Sequence, residues 1–215
     1  MNEILFLIQV FIIIGFALGA RRLGESALVA WVAIQALIAN LFVLKQITLF
    51  GFHVTASDSF GIGCLLGLSL LQEQYGRDAA KKATWVCFFF MAFFAIVSQL
   101  HLLYQPSTED TTQASFVTIL SQSPRLLAAS LSVFFIVQRV DILFFNFVKT
   151  KFPSLSFVFR AAIVLTVSQF LDTVLFTFVG LYGLVSSMFD IIFLSFSIKL
   201  LVIFLNTSVI KWVKV

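Results

Sequence analysis

The sequence predicts an all-α fold, a polytopic membrane helix bundle of about seven transmembrane helices with the N-terminus outside and the C-terminus cytoplasmic. Three observations carry that prediction: a composition too apolar for water, a series of membrane-length apolar runs, and basic residues gathered in alternate connections. Hydrophobic residues make up 60% of the 215 positions and charged residues 11%, with a mean hydropathy of +1.07. A soluble domain carries about 25% charged residues, so this chain lacks the polar surface to face water. The 28 Phe, against 3 Trp and 3 Tyr, read mostly as lipid-facing side chains. Residues 1–215 are expected to form a single integral membrane domain with no soluble module left over.

Apolar runs of spanning length, roughly 17–25 residues, fall at about 4–20, 27–47, 57–75, 84–104, 125–148, 158–181 and 184–208. The first is preceded by Glu3 and followed by Arg21 and Arg22, the reverse of a signal peptide, so Ala17-Leu18-Gly19-Ala20 is read as part of an uncleaved span. The third is the shortest and least apolar, with Gly61, Gly63 and Gly67 thinning its side chains and Tyr75-Gly76 as its stop. The seventh begins after Gly183 and is the longest. Arg77, Lys81 and Lys82 follow the third run, Lys149 and Lys151 the fifth, and Lys211 and Lys214 the seventh, while the alternate connections are poor in basic residues apart from Lys45. The positive-inside rule then sets the orientation. Segment 105–124, rich in Ser, Thr and Gln between Pro106 and Pro124, is the one long loop, read as a solvated linker with a lid over an outward opening as the alternative.

Four charged residues interrupt these runs: Arg139, Asp141, Asp172 and Lys199. Each costs at least roughly 2.5–3.5 kcal/mol at a bilayer centre. A chain keeps such groups where they pair inside a bundle or line a path for something polar, which points to a transporter or channel. The fifth and sixth runs share an echo: Gln138 and Asp141 precede Phe145 and Phe147, and Gln169 and Asp172 precede Phe176 and Phe178, an offset of 31 residues. Gln and Asp three apart share a helix face with the Phe four beyond. Such a stripe can hydrogen-bond and stack a flat heterocycle; equally, it can tie neighbouring helices together. At about 1.5 Å per residue, Asp141 lies ~10 Å and Asp172 ~20 Å from the cytoplasmic ends of their spans, with Lys199 between these levels. They read as two stations along one cavity rather than a touching dyad, with Lys199 or Arg139 as countercharge. Arg139 and Asp141 are about 200° apart around their helix and do not pair directly; Arg139 is free to snorkel toward the inner surface.

Gln72 and Glu73 still fall within the third span, where a carboxylate can accept two N–H bonds side by side from a guanine-like edge. Other chemistries find little support. Cys64 and Cys87 lie in apolar runs and read as small buried hydrophobes, and His53 and His101 lack ligand spacing, so neither a metal nor a cofactor is expected. The net charge of +4 is scattered over membrane loops, which does not suggest nucleic acid. No phosphate-binding loop is present, so any ATP hydrolysis must come from another polypeptide. An intramembrane aspartyl protease would need Asp141 and Asp172 at one level, and no Gly-x-Ser-Gly of a rhomboid-like hydrolase occurs. The chain is not read as an enzyme.

Taken together the segments resemble the queuosine-precursor transporter family, also described as vitamin-uptake proteins. The matching pieces run from about residue 39 to 200 in the family's order: Ala39-Asn40 with Lys45 and Phe50-Gly51; Gln72-Glu73 and Tyr75-Gly76 with Ala79; Pro124-Arg125 with Ala129-Ser130; Gln138 and Asp141; Arg160 with Gln169, Asp172, Thr173 and Phe176; and Lys199. The resemblance implies a six-helix core, preceded here by an additional N-terminal helix. It implies a multi-pass importer in the bacterial inner membrane for 7-deazaguanine bases destined for tRNA modification: queuine, or the 7-aminomethyl or 7-cyano forms. Family members often carry Thr-Asp two turns before the Tyr-Gly stop; Leu68-Ser69 stand there in this chain, which loses a carboxylate. On this reading Glu73, Asp141 and Asp172 take the base, with Gln72, Gln138, Gln169 and Asn40 as orienting amides and Phe176 as a stacking face. Arg125, Arg160 and Lys199 serve as donors or structural charges. The expected partners are the 7-deazapurine and the lipid bilayer, with an ATPase subunit and self-association left open. Two alternatives stand beside it: the substrate-binding component of an energy-coupling-factor-like transporter for another vitamin or nucleobase, and a structural membrane protein without transport.

Overall fold

The computed structural model describes residues 1–42, 45–55, 57–121, 124–183 and 188–212, and the side chains of all of these except 46, 52–55, 124–127, 190, 206 and 208–212. Eight helices and one hairpin follow in order: α1 (Asn2–Leu23), α2 (Glu25–Phe42), β1 (Gln46–Leu49), β2 (Phe52–Thr55), α3 (Asp58–Tyr75), α4 (Arg77–Leu102), α5 (Gln113–Leu120), α6 (Pro124–Lys151), α7 (Phe157–Gly180) and α8 (Met188–Trp212). The seven predicted apolar runs coincide with α1, α2, α3, α4, α6, α7 and α8. Five of these, α1, α2, α4, α6 and α7, are long and apolar enough to cross a membrane, and α8 contributes a shorter apolar stretch, Ile191–Leu205.

α3 is the exception, and its position explains why. It touches α1, α2, α4, α6, α7 and α8, and every residue from Ile62 to Leu71, with Gln72 beyond, is buried. A helix shielded by its neighbours on all sides need not be apolar enough to meet lipid itself. Its glycines let those neighbours approach. A Cβ on Gly63 would stand 2.7 Å from Ile13 Cγ2 and 2.8 Å from Gln35 Oε1, and one on Gly67 would stand 3.0 Å from both Trp31 and Val32. Close approach through small residues is how helices associate where lipid removes the hydrophobic drive between them. The exterior is correspondingly apolar: Phe11, Phe16, Phe89, Phe93, Phe170, Phe193 and Phe204 are exposed, whereas Gln35, Gln72, Gln138, Asp141, Gln169 and Lys199 are buried. That is the inverse of a soluble protein and fits a multi-pass membrane bundle.

Two departures from the sequence expectation are local. The second run was expected to stay helical to about residue 47, but α2 ends at Phe42 and residues 46–55 form an antiparallel hairpin with Leu49 opposite Phe52. Ile47, Thr48, Val54 and Thr55 are β-branched, which favours strands. Phe50 and Gly51 both take positive φ, 52° and 83°, the two-residue turn that matches strand twist. The hairpin docks on the start of α1, where Asn2 Nδ2 donates to Thr48 O at 3.1 Å and Phe50 N donates to Glu3 at 3.2 Å. The second departure is α5, a short helix inside the segment read as a loop. It rests on α4, with Gln99 Nε2 donating to Leu120 O at 3.0 Å.

Candidate substrate-binding site

Three polar groupings lie along α3, α6, α7 and α8. The middle one is neutral apart from a single carboxylate. Asp141 is completely buried and accepts from Ser168 Oγ at 2.7 Å, joining α6 to α7. Gln72 of α3 donates to the carbonyl of Ile142, the residue after Asp141, at 2.9 Å. Gln138, one turn before Asp141, donates to the thiols of Cys64 at 3.4 Å and Cys87 at 3.6 Å. Each of these bonds uses only part of the side chain. Gln72 Oε1, Gln138 Oε1, Asp141 Oδ2, Gln169 Oε1 and Ser69 Oγ are all buried with no hydrogen-bond partner among the described residues. Buried polar atoms are rarely left this way, and each costs about 1–3 kcal/mol. The set is dominated by acceptors, so a molecule rich in N–H groups would satisfy it.

The second grouping gathers where α3 ends, α6 ends and α7 begins. Glu73 is gripped by Arg160 at 2.6 Å and Lys149 at 3.0 Å, and Arg160 also donates to Leu155 O at 2.7 Å. The third lies at the other end of α3. Lys199 of α8 holds Asp172 of α7 at 2.7 Å, and Asp58, the first residue of α3, acts electrostatically on Lys199 and in turn feels Asp172. Asp58 Oδ2 is sealed and without a hydrogen-bond partner among the described residues. Asp172 is one turn beyond Ser168 on α7, so about 6 Å along the axis separates it from the Asp141 level. The two aspartates thus have different partners.

The remaining candidates separate. Asn40 accepts from Ser130 Oγ at 2.9 Å and lines a crevice between α2, α4, α5 and α6, with Met91, Phe94, Ser98 and Gln99. That crevice touches none of Glu73, Asp141, Asp172 or Lys199, which instead tie neighbouring helices to one another. Phe176 packs against the core. Arg139 lies over Trp85 at 4.9 Å and Phe135 at 5.1 Å, so its countercharge is a pair of ring faces rather than a carboxylate. The side chains of Arg125 and His53 lie outside the described residues. Sequence reasoning passed over Ser168 and Asp58. Nothing distinguishes Ser168 from any small hydroxyl, and Asp58 stands at the edge of the predicted third span, where a charge does not carry the signal of the four charges inside the runs.

Fold and interior define the class: a multi-pass membrane protein whose buried helices carry ionisable groups. Residues 60–213 match the family described as "Putative vitamin uptake transporter", and the chain belongs to that family. It is 30% identical over 165 residues to the probable queuosine precursor transporter of Bacillus subtilis (strain 168), covering 76% of this chain and 72% of that protein. No solved structure matches.

Proposed function

We propose that this chain imports 7-deazaguanine precursors of queuosine (queuine, 7-aminomethyl- or 7-cyano-7-deazaguanine) across the bacterial inner membrane, with seven spans, the N-terminus outside and the C-terminus cytoplasmic. The observation that carries the reading is the row of buried acceptors on α3, α6 and α7 without partners among the described residues. A 7-deazaguanine presents N–H donors at N1, at the 2-amino group and on the pyrrole ring. Asp141 accepts the adjacent N1–H and amino donors side by side, the geometry by which a carboxylate reads an amino group on a base. The amide oxygens of Gln72, Gln138 and Gln169 take the remaining donors, and an amide N–H of Gln169 serves the 6-carbonyl. Phe145 and Phe176 supply ring faces, by analogy with about 1–3 kcal/mol per stacked base. Asp172 lies one turn away for the amine of an aminomethyl base or queuine. Glu73, held by two cations, anchors helix ends in this scheme, with Arg160 as its clamp. The alignment to a queuosine precursor transporter supports the same cargo.

The test is uptake of radiolabelled queuine in cells unable to make the base, with the cyano and aminomethyl forms as competitors. Expression of the chain should confer uptake, and at least one competitor should suppress it. Asp141→Asn, which keeps the shape and turns one acceptor into a donor, should lower uptake by about tenfold or more. Uptake indistinguishable from cells lacking the chain, with the protein present in the membrane, contradicts the reading.

A further inference from the structure

Asp58 opens α3 and is half-buried, with its Oδ2 sealed and without a hydrogen-bond partner among the described residues. Two charged groups act on it, the Lys199 ammonium from α8 and the Asp172 carboxylate from α7. Lys199 is buried and holds Asp172 at 2.7 Å. From α1 this turn of α3 meets Gln9, whose amide bonds Ser59 and does not titrate; the side chain of Asp190 on α8 lies outside the described residues. Among the described residues, two carboxylates and one ammonium leave one negative charge among apolar helices, and a single bound cation restores neutrality. A metal ion suits the place poorly. No group of three His, Cys, Asp or Glu capable of holding one occurs among the described residues, and the ammonium beside Asp172 would repel it. A proton needs one oxygen.

We propose that Asp58 is the proton-carrying carboxylate of a coupling site, shared with Asp172 and Lys199, by which an inward proton gradient drives uptake. The proposal rests on the import reading above and adds its energy source. On the outer side water delivers a proton and the O–H bond of the Asp58 carboxylic acid forms, leaving Lys199 to Asp172 alone. On the inner side that O–H bond breaks, the proton returns to water, and the recharged Asp58 competes with Asp172 for the Lys199 ammonium. Because the three groups sit on α3, α7 and α8, the exchange of partners shifts the contact between those helices and releases Asp172 next to the Asp141 level.

The experiment uses the full chain in proteoliposomes with labelled queuine, comparing wild type, Asp58→Asn and Asp58→Glu. Wild type should accumulate queuine when the outside is acid and lose the accumulation with a protonophore. Asp58→Asn should accumulate about tenfold less or worse while exchanging labelled for unlabelled queuine, with no gradient, at a rate within about twofold of wild type. Asp58→Glu should restore gradient-driven accumulation. Accumulation indifferent to the gradient, or Asp58→Asn accumulating like wild type, overturns the proposal. Absence of exchange in wild type would overturn the import reading instead. Proton binding is then read without substrate, from the change in the protonated-carboxyl infrared band between neutral and acid pH: a smaller change in Asp58→Asn than in wild type supports the assignment and an equal change overturns it.

Discussion

The two ion clusters at the ends of α3 are built from the same kinds of residue and charged in opposite senses. At the C-terminal end one carboxylate, Glu73, faces two cations, Arg160 and Lys149. At the N-terminal end, among the described residues, one cation, Lys199, pairs with Asp172, and Asp58 lies within electrostatic reach of both. The first is over-supplied with positive charge at the end where the basic loops gather, and each of its contacts joins helix ends. The second is short of positive charge and lies beside the row of buried acceptors. An over-supplied cluster holds its geometry whatever binds nearby, whereas an under-supplied one changes partners when a proton or a cationic group arrives. One is suited to anchoring and the other to responding.

Substitutions that remove a carboxylate from each end separate the two roles. Asp172→Asn should have the largest functional effect, lowering queuine uptake by about tenfold or more. Its abundance in the membrane should stay near wild type, because Asp58 remains as a countercharge for Lys199; uptake retained at normal abundance would remove Asp172 from the site. Glu73→Gln should do the converse. It strands Arg160, and breaking such a pair costs about 3–5 kcal/mol when fully buried, less here because Glu73 is partly exposed. Expected are a lower thermal midpoint and lower yield in detergent, with uptake per folded molecule close to wild type. Loss of uptake at unchanged stability would instead place Glu73 on the substrate. The smallest effect belongs to Lys149→Ala. Its side chain is 37% exposed, and exposed pairs contribute about 0–1 kcal/mol, so the midpoint should barely move while Arg160 continues to hold Glu73.

Much of this bundle was legible because spanning a bilayer needs length and apolarity, and both are properties of a segment read alone. The seven long helices fall where apolar runs fall. The end of α2 was not legible in the same way: residues 27–44 stay largely apolar past the last turn of α2, and only the β-branched residues after Gln46, with Phe50-Gly51 at the turn, mark the change to a hairpin. α5 was hidden in a polar segment because its helix leans on α4 rather than on a long apolar face of its own. In the interior, the shared face of Gln138, Asp141 and Phe145 was readable from spacing, and all three are buried together. Pairing was not readable. Which cation meets which carboxylate depends on packing between helices remote in sequence, so Arg139 was as eligible as Lys199 until Trp85 and Phe135 were found beneath it. Asp58 escaped notice because a charge at the edge of a run reads as a boundary, and only the crowding of α3 by its neighbours turns that boundary inward.

If this chain imports a planar base, the buried acceptors of α3, α6 and α7 receive its N–H groups. Equilibrium binding of labelled queuine to the purified protein in lipid nanodiscs measures this most directly, with wild type and Asp141→Asn compared at matched folded concentration. Saturable binding by wild type, weakened about tenfold or more by Asp141→Asn, is the predicted result. Equal binding by the two proteins, or none by a folded wild type, would contradict it.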